Sequence, residues 1–153
     1  MAARTKIKKR ITPVWMDVKK IKHVTIHCTA TPEGRHHSAT EISKWDIDKF
    51  GQESYHWVVE LDGTAVQTLK DNQVGAHVGG HNTGNIGIAY VGGMDKEMKN
   101  PKDTRTPAQK ATIIRLVDSY KKKYPGVKAR GHNEWPGVNK ACPSFSVKAE
   151  FPN

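Results

Sequence analysis

Three side chains in this sequence are of types that hold transition metals: His27 in the stretch HCTAT, His132 in RGHNEW and Cys142 in NKACPSF. Imidazole and thiolate are preferred zinc ligands, and three protein ligands leave the fourth tetrahedral position to water, as in catalytic rather than structural sites. Spacing alone decides little. His132 and Cys142 stand ten residues apart, not at the close pairs of a zinc finger, and His27 lies more than a hundred residues earlier. By type and spacing a strand histidine is as readily a hydrogen-bonded polar residue, and a lone cysteine a small core residue, so both readings stand open here.

The elements that must position these residues read as alternating strands and helices. In His23–Cys28 the residues Val24, Ile26 and Cys28 alternate with His23, Thr25 and His27, which predicts a half-buried strand with His27 on a polar face. Ser38 and Glu41 have the spacing of a capping box ahead of a helix in which Ile42, Trp45 and Phe50 share one face, ended by Gly51. Tyr55, Trp57, Val59 and Leu61 alternate before Asp62-Gly63, a two-residue hairpin signal, and a partner strand follows over residues 64–69. The run from Ile86 to Val91 is almost continuously apolar, as in a central strand buried on both faces. Thr106, Pro107 and Gln109 open a second helix with an apolar stripe of Ile113, Leu116, Val117, Tyr120 and Tyr124, stopped by Pro125-Gly126. The expected fold class is α/β, one domain with a central mixed β-sheet flanked by helices.

Composition narrows the field. A chain of 153 residues is long enough for one real core and too short for two ordinary ones. No stretch approaches the ~18 apolar residues of a membrane span, and the positive N-terminus has no apolar segment behind it, so export by a signal peptide is not expected. Two cysteines exclude a disulfide-dense scaffold. The net charge is +10, and eight Lys and Arg residues fall between positions 4 and 22 beside the single acid Asp17. Such an arm over residues 1–22 favours polyanions, whether nucleic acid, an anionic membrane or acidic wall polymers, or is simply solvated.

HCTAT after an apolar strand, SYHWVV before LDG, GAHVGGHN before the IGI strand, and GHNEWPGVNKACPSF near the end occur in the order found in another group of proteins. In these four motifs the chain resembles the zinc-dependent N-acetylmuramoyl-L-alanine amidases of type 2, a family that includes phage endolysins and shares its fold with the peptidoglycan recognition proteins. The likeness runs from about Val24 to Phe145 and leaves out the basic arm. It implies a catalytic domain over residues 23–153 and one zinc per chain, held by His27, His132 and Cys142. Tyr55 would be the acid/base or transition-state donor, and Lys140 the catalytic lysine, projecting to the side of Cys142 if that segment is extended. His77 would line the substrate groove. Asn85 stands before IGI where relatives often have serine, a departure that touches substrate contacts and no proposed ligand.

The reaction implied is hydrolysis of the amide between N-acetylmuramic acid and L-alanine, with bacterial peptidoglycan as partner, anionic envelope polymers as a second partner through the arm, and a monomeric enzyme. A chain of this kind would be made in the host cytoplasm and reach the wall after the membrane is permeabilised. Cys28, opposite His27 on its strand, is not assigned to the metal; His36, His37, His56 and His81 stay unassigned, and Glu134 either orients a ligand histidine or caps a turn. Two rival classes are a non-catalytic peptidoglycan-binding module, against which Cys142 argues, and a nucleic-acid binder, for which the arm offers only Trp15 as an interleaved aromatic.

Overall fold

The computed structural model describes residues 10–153 and is built on a five-stranded sheet ordered β4-β3-β5-β1-β7. Strands β1 (His23–Cys28), β3 (Trp57–Val59), β5 (Asn85–Tyr90) and β7 (Lys128–Gly131) run parallel, and β4 (Ala65–Gln67) pairs antiparallel with β3 at one edge. A separate two-residue pairing joins β2 (Thr31–Pro32) to β6 (Gly93–Met94).

Register divides the sheet into two unlike faces. Val24 and Ile26 of β1 lie beside Ile86 and Ile88 of β5, and this side packs with Ile113, Val117 and Tyr120 of α2 (Pro107–Lys123) and Val147 of α3 (Val147–Glu150). The other side carries Thr25 and His27 beside Gly87 and Ala89, and toward β3 it joins the smaller cluster of Val58, Val91, Ala39 and Ile42 under α1 (Ala39–Phe50).

The predicted polar face of β1 is polar but not solvated: Thr25 and His27 are 0% and 1% exposed. Side chains from outside the strand cover this face, with Trp135 over Thr25 and His77 and His132 against His27; the Thr25 hydroxyl donates to Asn85 Oδ1 at 2.7 Å and accepts from Trp135 Nε1 at 3.0 Å.

The second helix forms as expected, with the full capping box of Thr106 and Gln109 and Pro107 in its first turn. The first closes half of its box. Ser38 Oγ accepts from the Glu41 amide, but the Glu41 carboxylate turns to His37 Nδ1 at 2.7 Å. Gly51 ends α1 at φ 79°, in the left-handed region as expected, whereas Trp45 and Phe50 face the solvent rather than the core.

The hairpin also differs from the two-residue turn predicted. The Glu60 amide bonds Thr64 O and the Gly63 amide bonds Glu60 O, so the loop holds three residues and only Gly63, at φ 87°, is left-handed. A side chain there would meet Ala108 O at 2.8 Å, so Gly63 also lets the loop rest on the start of α2. Both strands are shorter than their apolar patterns, and at the other end of β3 Tyr55 lies outside the strand.

Within the expected arm, residues 1–9 lie outside the described residues. Residues 10–22 pack along the domain: the Ile11 amide bonds Gly51 O, Met16 bonds Asn72 O, Val14 O accepts from Val74, and Met16 and Ile21 enter the core. Arg10 forms two bonds with the Glu53 carboxylate, at 2.9 and 3.1 Å.

Candidate metal centre and its cleft

His27 sits near the C-terminal end of β1, where the ligand positions of parallel sheets commonly lie. Its ring is fixed by a chain of hydrogen bonds. Asn85 O can only accept, so His77 Nε2, 3.0 Å away, carries a proton. A neutral imidazole has one such proton, which leaves His77 Nδ1 to accept from His27 Nε2 at 2.9 Å and leaves His27 Nδ1 bare. Burial holds both rings neutral: it lowers His77 to about 3 and, with the Lys140 ammonium adding to it, drives His27 well below the usual histidine value. The bare nitrogen faces Cys142 Sγ at 3.8 Å.

His77 can approach this closely because β5 has Gly87 beside it; a Cβ there would come within 2.9 Å of the His77 ring. His56 latches the same residue, donating from Nε2 to Gln73 O at 2.7 Å and accepting the Gly87 amide on Nδ1 at 3.0 Å. Both ring nitrogens of His77 are thus engaged inside the protein, so what it offers the cleft is the carbon edge of its ring.

His132 opens the single turn His132–Glu134 directly after β7, and β7 pairs with β1, which brings the two rings to a centroid separation of 4.6 Å. Glu134 closes that turn rather than orienting the ring: its carboxylate accepts from the Gly131 amide at 2.9 Å and the Lys148 amide at 3.1 Å. Cys142 arrives on the following loop, where its sulfur accepts the Cys28 amide at 3.2 Å. Tyr90 OH bonds Pro143 O, Ser144 Oγ bonds Gly93 O, and the Arg105 guanidinium, paired with Asp103 and Glu150, lies 3.4 Å over the Phe145 ring. Four consecutive residues of the loop, 142–145, are therefore each tied to the body of the domain.

The donor atoms of His27, His132 and Cys142 lie within 4.8 Å of one another. Two neutral imidazoles and a thiol converging from three elements form a donor set that fits zinc. The bond with the Cys28 thiol and burial push the Cys142 thiol up, so a cation arriving here would displace its proton. Cys28 stays out of the group, packed against Gly93.

These residues floor a cleft of about 370 Å³ that also receives Tyr55, His77, Lys140, Trp45, Asp46, Lys49, Phe50 and Ser54. The Tyr55 ring lies 5.1 Å from that of His27, and burial, reinforced by the nearby Asp46 carboxylate, raises its phenol well above the usual value. It is a neutral hydroxyl at physiological pH, able to donate but not to act as an anionic base. Lys140 is exposed at the rim, and its charge reaches His27 and His132. All six site residues expected from sequence thus border one cleft.

Sequence reading did not identify the relay through His77 or the wall made by α1. The second carried a signal: Asp46 and Lys49 share a helical face with Ile42, Trp45 and Phe50, an arrangement out of place on a face that is wholly core. An equal hollow on the opposite side, around Asp71, holds no such set, because the Asp71 carboxylate is already taken by Tyr120, Tyr124 and Lys123.

Comparison with known proteins converges on one group. The sequence profile of the N-acetylmuramoyl-L-alanine amidase family matches residues 17–145. The endolysin of Klebsiella phage KP32 is 31% identical over 131 residues, 85% of each chain, and that of Escherichia phage T7 is 33% identical over 126 residues, 82% of each. Among solved structures, the Drosophila peptidoglycan recognition protein SD superposes with a TM-score of 0.72 at 20% identity, covering 96% of this chain and 90% of its own, which shows a shared fold.

Proposed function

This chain belongs to the N-acetylmuramoyl-L-alanine amidase family and is a peptidoglycan amidase of the endolysin kind, and from that premise we propose that it uses zinc to cut the bond between N-acetylmuramic acid and L-alanine. The observation that supports this most is the convergence of His27, His132 and Cys142 on the floor of a cleft that also holds Tyr55 and Lys140. Zinc bound there would supply Lewis-acid polarisation of the carbonyl and acidify water.

The chain's own residues do the rest. His77 keeps the His27 lone pair on Nδ1, aimed at the centre, by accepting the proton on Nε2. The Lys140 ammonium stabilises negative charge on the scissile carbonyl oxygen, and the Tyr55 hydroxyl donates a second hydrogen bond as that charge grows. The leaving amine takes up a proton that the attacking water gives up, so the step balances with Tyr55 remaining a neutral hydrogen-bond donor to the oxygen. Peptidoglycan is the partner. Among the described residues no helix is long and apolar enough to cross a membrane. We place synthesis in the host cytoplasm and action on the wall after membrane permeabilisation, by a monomer.

Purified cell walls test this. Incubation should release new N-terminal alanine and clear turbidity, and chelation should stop both. Cys142→Ser should lose most of its zinc by metal analysis; stoichiometric zinc in that variant removes Cys142 from the centre. Tyr55→Phe and Lys140→Ala should fold and keep zinc while losing on the order of 10²–10³ in turnover, and near-normal rates would return either residue to a packing or surface role.

A further inference from the structure

Cys28 stays outside the donor set, yet it lies against the one thiol within it. The sequence holds only two cysteines, 114 positions apart, and the fold makes them neighbours. Cys142 Sγ accepts the Cys28 amide at 3.2 Å and stands 3.8 Å from the Cys28 carbonyl oxygen, so this sulfur rests on the backbone of residue 28. The two thiols also bond each other.

Both border the cleft, Cys142 half-buried and Cys28 only 5% exposed, so a reagent entering the cleft meets Cys142 first. The Cys28 thiol has no room to retreat. Gly93 stands against it at φ 103°, in the left-handed region, and any Cβ there would collide with the Cys28 sulfur. On the other side, the ties of Pro143, Ser144 and Phe145 hold Cys142 in place. Two thiols pressed together between fixed elements, one of them reachable, have the arrangement of a reactive cysteine and its resolving partner.

We propose that Cys28 and Cys142 are a site of reversible oxidation, joined as a disulfide by a peroxide when no metal holds Cys142. The proposal rests on the reading of Cys142 as a zinc ligand. The Cys142 thiolate attacks one peroxide oxygen, the O–O bond breaks and hydroxide leaves, giving a sulfenic acid. The Cys28 thiolate then attacks the Cys142 sulfur, the S–O bond breaks and a second hydroxide leaves. The two thiol protons complete two waters, so two thiols and one hydrogen peroxide give one disulfide and two waters. A sulfur in this bridge is no longer the thiolate that a metal binds, and a dithiol restores it by exchange. Metal and oxidant thus compete for one sulfur, and Cys28 keeps the oxidised state on the reversible side of the ladder, short of sulfinic acid.

The full chain, zinc-loaded or stripped with chelator, is treated with hydrogen peroxide and followed by thiol titration and intact mass, which need no turnover. The stripped protein should lose both thiols and the mass of two hydrogens, the loaded protein should react about tenfold more slowly, and dithiothreitol with zinc should return both thiols and the metal. Cys28→Ser and Cys28→Ala should keep zinc and clear cell walls, but after stripping and oxidation they should gain oxygen atoms on Cys142 and recover little metal. Oxygen added to Cys142 of the unmodified protein while Cys28 stays a free thiol overturns the proposal, as do bridges between chains or equal rates with and without zinc. The two readings fail separately. Zinc retained in Cys142→Ser sinks the ligand assignment, whereas zinc lost in that variant with no bridge in the stripped protein sinks the oxidation site alone.

Discussion

His77 shows how much one side chain can contribute without touching the metal or the scissile bond. Its Nδ1 is the acceptor for His27 Nε2, in a place where His27 is 1% exposed and water cannot substitute. Replacing it by alanine leaves a buried N–H without a partner and frees the ring to take the other tautomer, with the proton on the nitrogen that faces Cys142. We expect His77→Ala to weaken zinc binding about 10–100-fold, read by competition with a chromophoric chelator, and His77→Gln to recover part of it. Unchanged affinity would mean that packing alone holds the His27 ring. The identity of His77 as a site residue was legible in the sequence only through the resemblance. Its bonding to His27 was not, because fifty residues separate the two and His77 reaches β1 from a loop, lying over Gly87 and bonded to Asn85 O of β5.

Elements were read well where a pattern and its stop signals agreed, and less well where tertiary contacts overrode them. The second helix has its apolar stripe, box, proline and terminator all in agreement, and it forms as predicted. For the first, periodicity finds the helix and Gly51 its end, but a shared apolar face does not say what covers it, so only the structure shows Ile42 in the core and Trp45 and Phe50 facing out. The polar side of β1 was expected to meet water because alternation reports polarity, not which neighbours lie on either side. In β5 the glycine of IGI reads as a small gap in an apolar run; its function is to admit the His77 ring. Gly87→Ala should therefore cost about 1–3 kcal/mol in urea unfolding, the range for overpacking, and reduce zinc affinity in parallel with His77→Ala. A stability change without any change in affinity would separate the two.

At the scale of the molecule, the basic residues of the N-terminal arm are not all alike: from residue 10 onward the arm packs on the domain. Arg10, Ile11, Val14 and Met16 are fastened to the stretch from Gly51 to Val74, next to Tyr55, so part of the basic arm supports the cleft wall. Removing residues 1–9 takes away Arg4, Lys6, Lys8 and Lys9 and should flatten the salt dependence of binding to intact walls. Removing residues 1–16 should in addition lower stability by about 2 kcal/mol, mostly through the lost burial of Met16, since the exposed Arg10 pair contributes little. Equal stability of the two truncations would contradict the packing described.

The proposed zinc ligands His27 and Cys142 stand 115 positions apart, near the two ends of the described chain. A metal gripped by both is a reversible cross-link across nearly the whole polypeptide, shrinking the unfolded ensemble as a long-loop disulfide does, by an amount on the order of 4–5 kcal/mol in the chain-entropy view. Loading and folding then become one equilibrium. Chelator would not merely silence the protein but loosen it, opening sites to proteases and to aggregation, and the time spent without metal would set how much activity returns when zinc is restored.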